Sequence, residues 1–116
     1  MADCNVVCKE APQIMQGDSW PVEFSVVMNP QQPPISSSEI ASVEVSLDCL
    51  IKKWPDGGLE YDSNKNKFSF WPSQQETFKL RGENRLQVRV KLKNGVTKGF
   101  DLGILKIAAS NSKEVL

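Results

Sequence analysis

Three cysteines, fourteen carboxylates and no histidine delimit the chemistry open to this 116-residue chain. Without His there is no Ser-His or Cys-His nucleophile pair, no imidazole base and no imidazole metal ligand. Cys4 and Cys8 form a C-x3-C pair. A zinc site needs four donors, and Cys49 is the one further thiol in the chain. The pair is therefore expected to be reduced thiols in a terminal segment, with Cys49 a small core residue in an apolar stretch. Asp56, Glu60 and Asp62 could in principle cleave a glycoside or form part of a calcium loop. They fall in turns or at outward strand positions, where solvated surface charge is the expectation. Gly57-Gly58 belongs to a hairpin turn and not to a phosphate-cradling loop. The residues point to no enzyme and to no metal or cofactor.

Two constellations could bind instead. Trp54, Tyr61 and Trp71 could offer flat rings to a sugar; Trp54 and Trp71 each precede Pro at a strand end, where they could also meet a protein partner. Arg89, Lys91 and Lys93 alternate along one strand, with Lys98 nearby on the next. Such a basic face could receive an acidic partner, or it could serve to discourage edge-to-edge pairing of sheets. Arg89, Lys91, Lys93, Lys98, Trp54 and Trp71 are the candidate partner contacts.

The net charge of zero is a cancellation. Residues 1–50 hold seven acids and one base, and residues 51–116 hold thirteen bases and seven acids, so the halves carry −6 and +6. No run of five like charges occurs, and a general nucleic-acid binder is normally basic over the whole domain. No nucleic-acid partner is expected. The start Met1-Ala2-Asp3-Cys4 shows neither the basic nor the apolar part of a secretion signal, and no apolar stretch is long enough to span a membrane. The expected location is the cytoplasm.

The elements that must position these residues are strands, since period-two alternation recurs and helical periodicity is scarce. Residues 12–16 read as a short strand followed by the turn Gly17-Asp18-Ser19. Trp20, Val22, Phe24, Val26 and Met28 alternate with mostly polar residues as a half-buried strand. A Pro- and Ser-rich loop covers 29–38. Val43, Val45 and Leu47 mark the next strand, and residues 49–54 either continue it past a bend or begin another. Pro55-Asp56-Gly57-Gly58 is a turn. Residues 59–62 and 67–70 pair as a hairpin. Ser73 and Glu76 form a capping box for one helical turn. Leu86, Val88, Val90 and Leu92 alternate with Gln87, Arg89, Lys91 and Lys93.

The register of the last hairpin is legible at Asn94-Gly95. A two-residue loop would bury Thr97, Gly99 and Asp101. A three-residue loop with Gly95 in the left-handed region pairs Leu92 with Val96, Val88 with Phe100 and Leu86 with Leu102, so that apolar sets coincide. Seven or eight short strands with turns every 8–12 residues indicate an all-β, immunoglobulin-like antiparallel β-sandwich. It would span residues 12–107, after a flexible N-terminal segment (1–11) and before a C-terminal tail (108–116).

The motif Gln16-Gly17-Asp18 opening an alternating strand, the central Val43-Val45-Leu47, and the late Val88-Val90 hairpin closed by Asn94-Gly95 resemble small Ig-like domains of phage and prophage proteins. They resemble in particular the N-terminal domain of phage baseplate upper proteins. The resemblance covers roughly residues 12–107. It implies a non-enzymatic structural module of a phage tail or baseplate, working through contacts with other phage structural proteins or with itself. It also implies assembly in the bacterial cytoplasm, a final place in the virion, and terminal segments that dock on partners. The alternative is a carbohydrate-binding or adhesion β-sandwich using Trp54, Tyr61 and Trp71.

Overall fold

The computed structural model describes residues 5–8, 14–19, 21–27 and 33–116. Among these, nine strands form two sheets. In chain order they are β1 (Asn5–Cys8), β2 (Ile14–Met15), β3 (Val22–Val27), β4 (Ile40–Leu47), β5 (Leu50–Trp54), β6 (Glu60–Asp62), β7 (Lys67–Phe70), β8 (Gly82–Leu92) and β9 (Thr97–Ala108). A 3-10 turn at Ser37–Glu39 leads into β4, and a single helical turn, α1 (Gln74–Phe78), links β7 to β8. One sheet has the order β1-β3-β7-β6 and the other β2-β9-β8-β4-β5. Neighbouring strands are antiparallel except β2, which runs parallel to β9. The chain is thus an all-β, two-sheet sandwich.

Alternation builds the core. Phe24, Val26, Phe68 and Phe70 from one sheet meet Val43, Val45, Leu47, Val88 and Val90 from the other, all of them buried. The strands that line this core each turn an apolar face to it, and burying the two sheets' faces against each other removes them from water together. Phe68 sits at the centre of an aromatic group, with ring centroids 5.5 Å from Phe24, 5.4 Å from Trp54 and 4.8 Å from Tyr61. Trp20 and Met28, expected on the core face of β3, lie outside the described residues.

Several expectations change. Asn5–Cys8 is a strand paired with Val27 to Phe24 of β3, so this part of the segment expected to be flexible belongs to the sheet. Residues 50–54 form a separate strand. Leu47 pairs with Leu50 across the two-residue turn Asp48-Cys49, and Asp48 adopts a positive φ of 50°. Cys49 is therefore exposed in a turn and not in the core. The apolar run Cys49-Leu50-Ile51 looked like one buried stretch, but a tight hairpin reverses within it.

The capping box forms as expected. Glu76 N–H donates to Ser73 Oγ (3.1 Å) and Ser73 N–H donates to Glu76 Oε1 (2.9 Å). The β8–β9 loop is also the three-residue form. Leu92 N–H donates to Val96 O (2.8 Å), Gly95 has φ 95°, and Val88 faces Phe100. Below that pair the register departs from expectation. Leu86 stands opposite Gly103, not Leu102, because a bulge adds one residue to β9. Asp101 Oδ1 accepts the Gly103 N–H at 3.0 Å and closes the bulge locally.

Candidate functional site

The outer face of the five-stranded sheet carries the basic residues in a grid set by strand pairing. One rung crosses Lys53, Glu44, Arg89 and Gly99. The rung on one side holds Ser42, Lys91 and Thr97, and on the other Ile51, Ser46, Gln87 and Asp101. Strands lie about 4.8 Å apart and alternate residues of a strand about 7 Å apart. Arg89 and Lys91 are exposed on this face, with Lys93 exposed beyond the end of β8.

Two acids of the face are already engaged, and a third, exposed Glu83, stands opposite Lys106 towards the far end of β8. Glu44 lies 3.8 Å from Lys53, and Asp101 pairs with Arg85. The Asp101 carboxyl is held below the usual carboxylate range by the Gly103 N–H first and by Arg85 in addition. Among the described residues, Arg89, Lys91 and Lys93 make no ion pair. Two shallow concavities flank the Arg89–Glu44 rung. One, of about 290 Å³, is floored by Ser46, Gln87 and Gly99; the other, of about 260 Å³, lies between Ser42, Lys53, Lys91 and Thr97. Small side chains at these rungs leave the hollows. Exposed Ile51, Ile104 and Met15 lie towards the opposite end of the same face.

Lys98 does not belong to this surface. It stands opposite Val90, on the core-facing side, with its ammonium 5.4 Å from the Phe100 ring centroid. The expectation of a four-residue outer basic patch fails there because residues opposite each other across an antiparallel pair share a face.

The two tryptophans are also separated. Trp54 pairs with Val43 on the inner side of β5 and packs on Tyr61 (5.9 Å) and Phe68. Tyr61 packs on Phe68 and donates its hydroxyl to Asn66. Of the three candidate rings only Trp71 is largely exposed, at 59%. The structure therefore does not assemble them as an exposed platform.

The edges of the five-stranded sheet are protected in ways that sequence reading missed. The outer backbone of β5 is occupied at Lys53, whose N–H donates to Gly57 O (2.9 Å) and whose O accepts from Leu59 N–H (3.0 Å). The β9 edge carries the inward charge of Lys98 and the bulge at Gly103. Inward charges and bulges both oppose addition of a further strand.

A second polar cluster is structural. Gln16 is buried, and its Nε2 donates to Phe78 O (3.1 Å) and Leu80 O (2.9 Å). Its Oε1 accepts from Ser110 N–H (3.1 Å) and from Lys113. Thr77 Oγ1 accepts from Gly17 N–H (2.9 Å) and donates to Asp18 O (2.9 Å). The Gln16-Gly17-Asp18 turn thus ties α1 and the C-terminal residues to the sandwich.

Among the described residues no three Cys, Asp or Glu side chains gather as a metal site, and no helix is long and apolar enough to cross a membrane. Cys4 lies outside the described residues. No protein-family model matches the chain, and no curated protein matches it significantly.

Proposed function

We propose that this chain is a non-enzymatic assembly module that works through protein–protein contact, and that its contact surface is the outer face of the five-stranded sheet. The observation that carries this reading is the column Arg89, Lys91 and Lys93. These are exposed cations without ion-pair partners among the described residues, set beside two hollows on a face that also exposes Ile51, Ile104 and Met15. Cations with no ion pair among the described residues keep their attraction for an outside partner, and apolar side chains on the same face add desolvation energy. The protected edges of the five-stranded sheet make its face a better contact than its edges. The setting in a phage or prophage particle, and with it the Ig-like character of the sandwich, rests on the resemblance of the Gln16-Gly17-Asp18, Val43-Val45-Leu47 and Asn94-Gly95 motifs.

Site-specific photo-cross-linking in producing cells tests the surface. A photo-reactive residue at Gln87, in the middle of the face, is expected to give a discrete protein adduct, and the same residue at exposed Lys79 is not. Adducts only from Lys79, or none from Gln87, would overturn the reading.

A further inference from the structure

On the opposite side of the sandwich, the β6 edge of the four-stranded sheet presents acids. In the four-stranded sheet Tyr61 faces inward opposite Phe68. Glu60 and Asp62 on either side of it therefore point outward, opposite Ser69 and Lys67, and Glu23 shares their face across Ser69. Glu60 and Asp62 are exposed and make no ion pair among the described residues. They lie two residues apart on one strand, as Arg89 and Lys91 do, so both pairs have the same separation of about 7 Å. Lys67 opposes Asp62, and Glu60 opposes uncharged Ser69, so the β6–β7 ladder carries two acids to one base on this face.

We propose that the occupant of the basic face is a second copy of this chain, which presents Glu60 and Asp62 to Arg89 and Lys91. This rests on the reading of that face as the contact surface and names its partner. The acidic pair sits on β6, an edge strand of its sheet, and can approach as a ridge. The receiving face has hollows floored by Ser42, Ser46 and Gly99, which let such a ridge come close to Arg89. The two surfaces lie on opposite sides of one sandwich, so a contact between two copies leaves one free surface on each. The contact is heterologous and extends head to tail, to a ring if the rotation closes and to a filament if it does not. A nucleic acid suits the face less well. Trp54 packs inward on Phe68 and does not offer its ring face to bases, and the chain as a whole is not basic.

Sedimentation velocity of the purified chain tests this. At about 20 mM salt the weight-average mass is expected to rise with concentration beyond twice that of the chain, and at about 500 mM salt to fall back to one chain. Arg89→Gln with Lys91→Glu removes one surface. Glu60→Gln with Asp62→Asn removes the other, and Asn keeps the oxygen that accepts the Asn64 N–H. Each double variant, shown folded by circular dichroism, is expected to be monomeric. Their equimolar mixture is expected to form a one-to-one dimer and nothing larger, since each variant retains the surface the other lacks. A wild-type chain that stays monomeric, variants that still assemble, or a mixture that does not pair would overturn the proposal. So would binding of a single-stranded oligonucleotide abolished by Arg89→Gln with Lys91→Glu in a chain that does not self-associate. A monomeric chain whose Gln87 position cross-links to a different protein would overturn the stacking and leave the contact face standing. Absence of any Gln87 adduct would remove the contact face itself.

Discussion

Lys98 stands directly opposite Val90, on the core-facing side of β9, with its ammonium 5.4 Å from the Phe100 ring centroid. A charge aimed inward beside an edge opposes pairing with another strand, because docking would desolvate it. Lys98→Val is expected to keep or raise the melting temperature and to increase salt-insensitive aggregation on heating, followed by light scattering. Aggregation equal to wild type would show that the bulge alone protects the edge.

Ser73 and Glu76 cap α1 reciprocally. Ser73→Ala is expected to cost about 1 kcal/mol in denaturant unfolding. Burial opposes ionisation of Glu76, but the Ser73 N–H and Lys52 at 3.0 Å outweigh it and hold the carboxyl below its usual 4.5. A carboxyl whose pKa falls on folding stabilises the protein above the unfolded value, and that contribution is lost as pH drops below it towards the folded value. Stability should therefore decline below about pH 4.5, and Glu76→Gln should flatten that part of the profile. An unaltered slope would place the acid sensitivity elsewhere.

Gly17 and Gly95 both have positive φ, 90° and 95°, but their surroundings differ. A Cβ on Gly17 would lie 2.8 Å from Phe78 Cζ, whereas one on Gly95 meets nothing within 4 Å. Gly95→Ala is expected to cost about 1 kcal/mol, from backbone strain alone. Gly17→Ala should cost more, since the Phe78 ring must also move. Equal losses in urea unfolding would mean that the ring shifts freely.

Phe68 is fully buried and touches Phe24, Trp54 and Tyr61. Phe68→Ala is expected to destabilise by about 3–5 kcal/mol. A loss under about 1 kcal/mol in equilibrium unfolding would contradict the central place given to this ring.

Cys49 is exposed in the β4–β5 turn. It should react with a maleimide in the native protein at a rate close to that of a free thiol, with the modified peptide identified by mass spectrometry. Reaction only after denaturation would return it to the core.

Much of the framework was legible because it is local. Ser73 and Glu76 are three residues apart, and their mutual bonds follow from that spacing. Asn94-Gly95 and the flanking apolar residues determined the hairpin loop and the pairs Leu92–Val96 and Val88–Phe100. The alternation of Val88, Val90 and Leu92 with Arg89 and Lys91 separated core from solvent. Legibility stopped where a short-range pattern was broken. Cys49 read as core because an apolar run conceals a two-residue reversal, and Leu102 lost its expected partner to a bulge held by the Asp101 side chain.

By itself, then, the sequence determined an all-β chain, its main hairpin and the outward direction of Arg89 and Lys91, since a period of two is a property of neighbouring residues. The tertiary structure alone decided which distant residues share a face. It turned Lys98 and Trp54 inward, matched Lys53 to Glu44 and Arg85 to Asp101, and set Glu60 and Asp62 on the side opposite the basic column. Sheet order and register are fixed by the joint burial of residues far apart in the chain, and each bulge or turn shifts the parity by which local spacing is read.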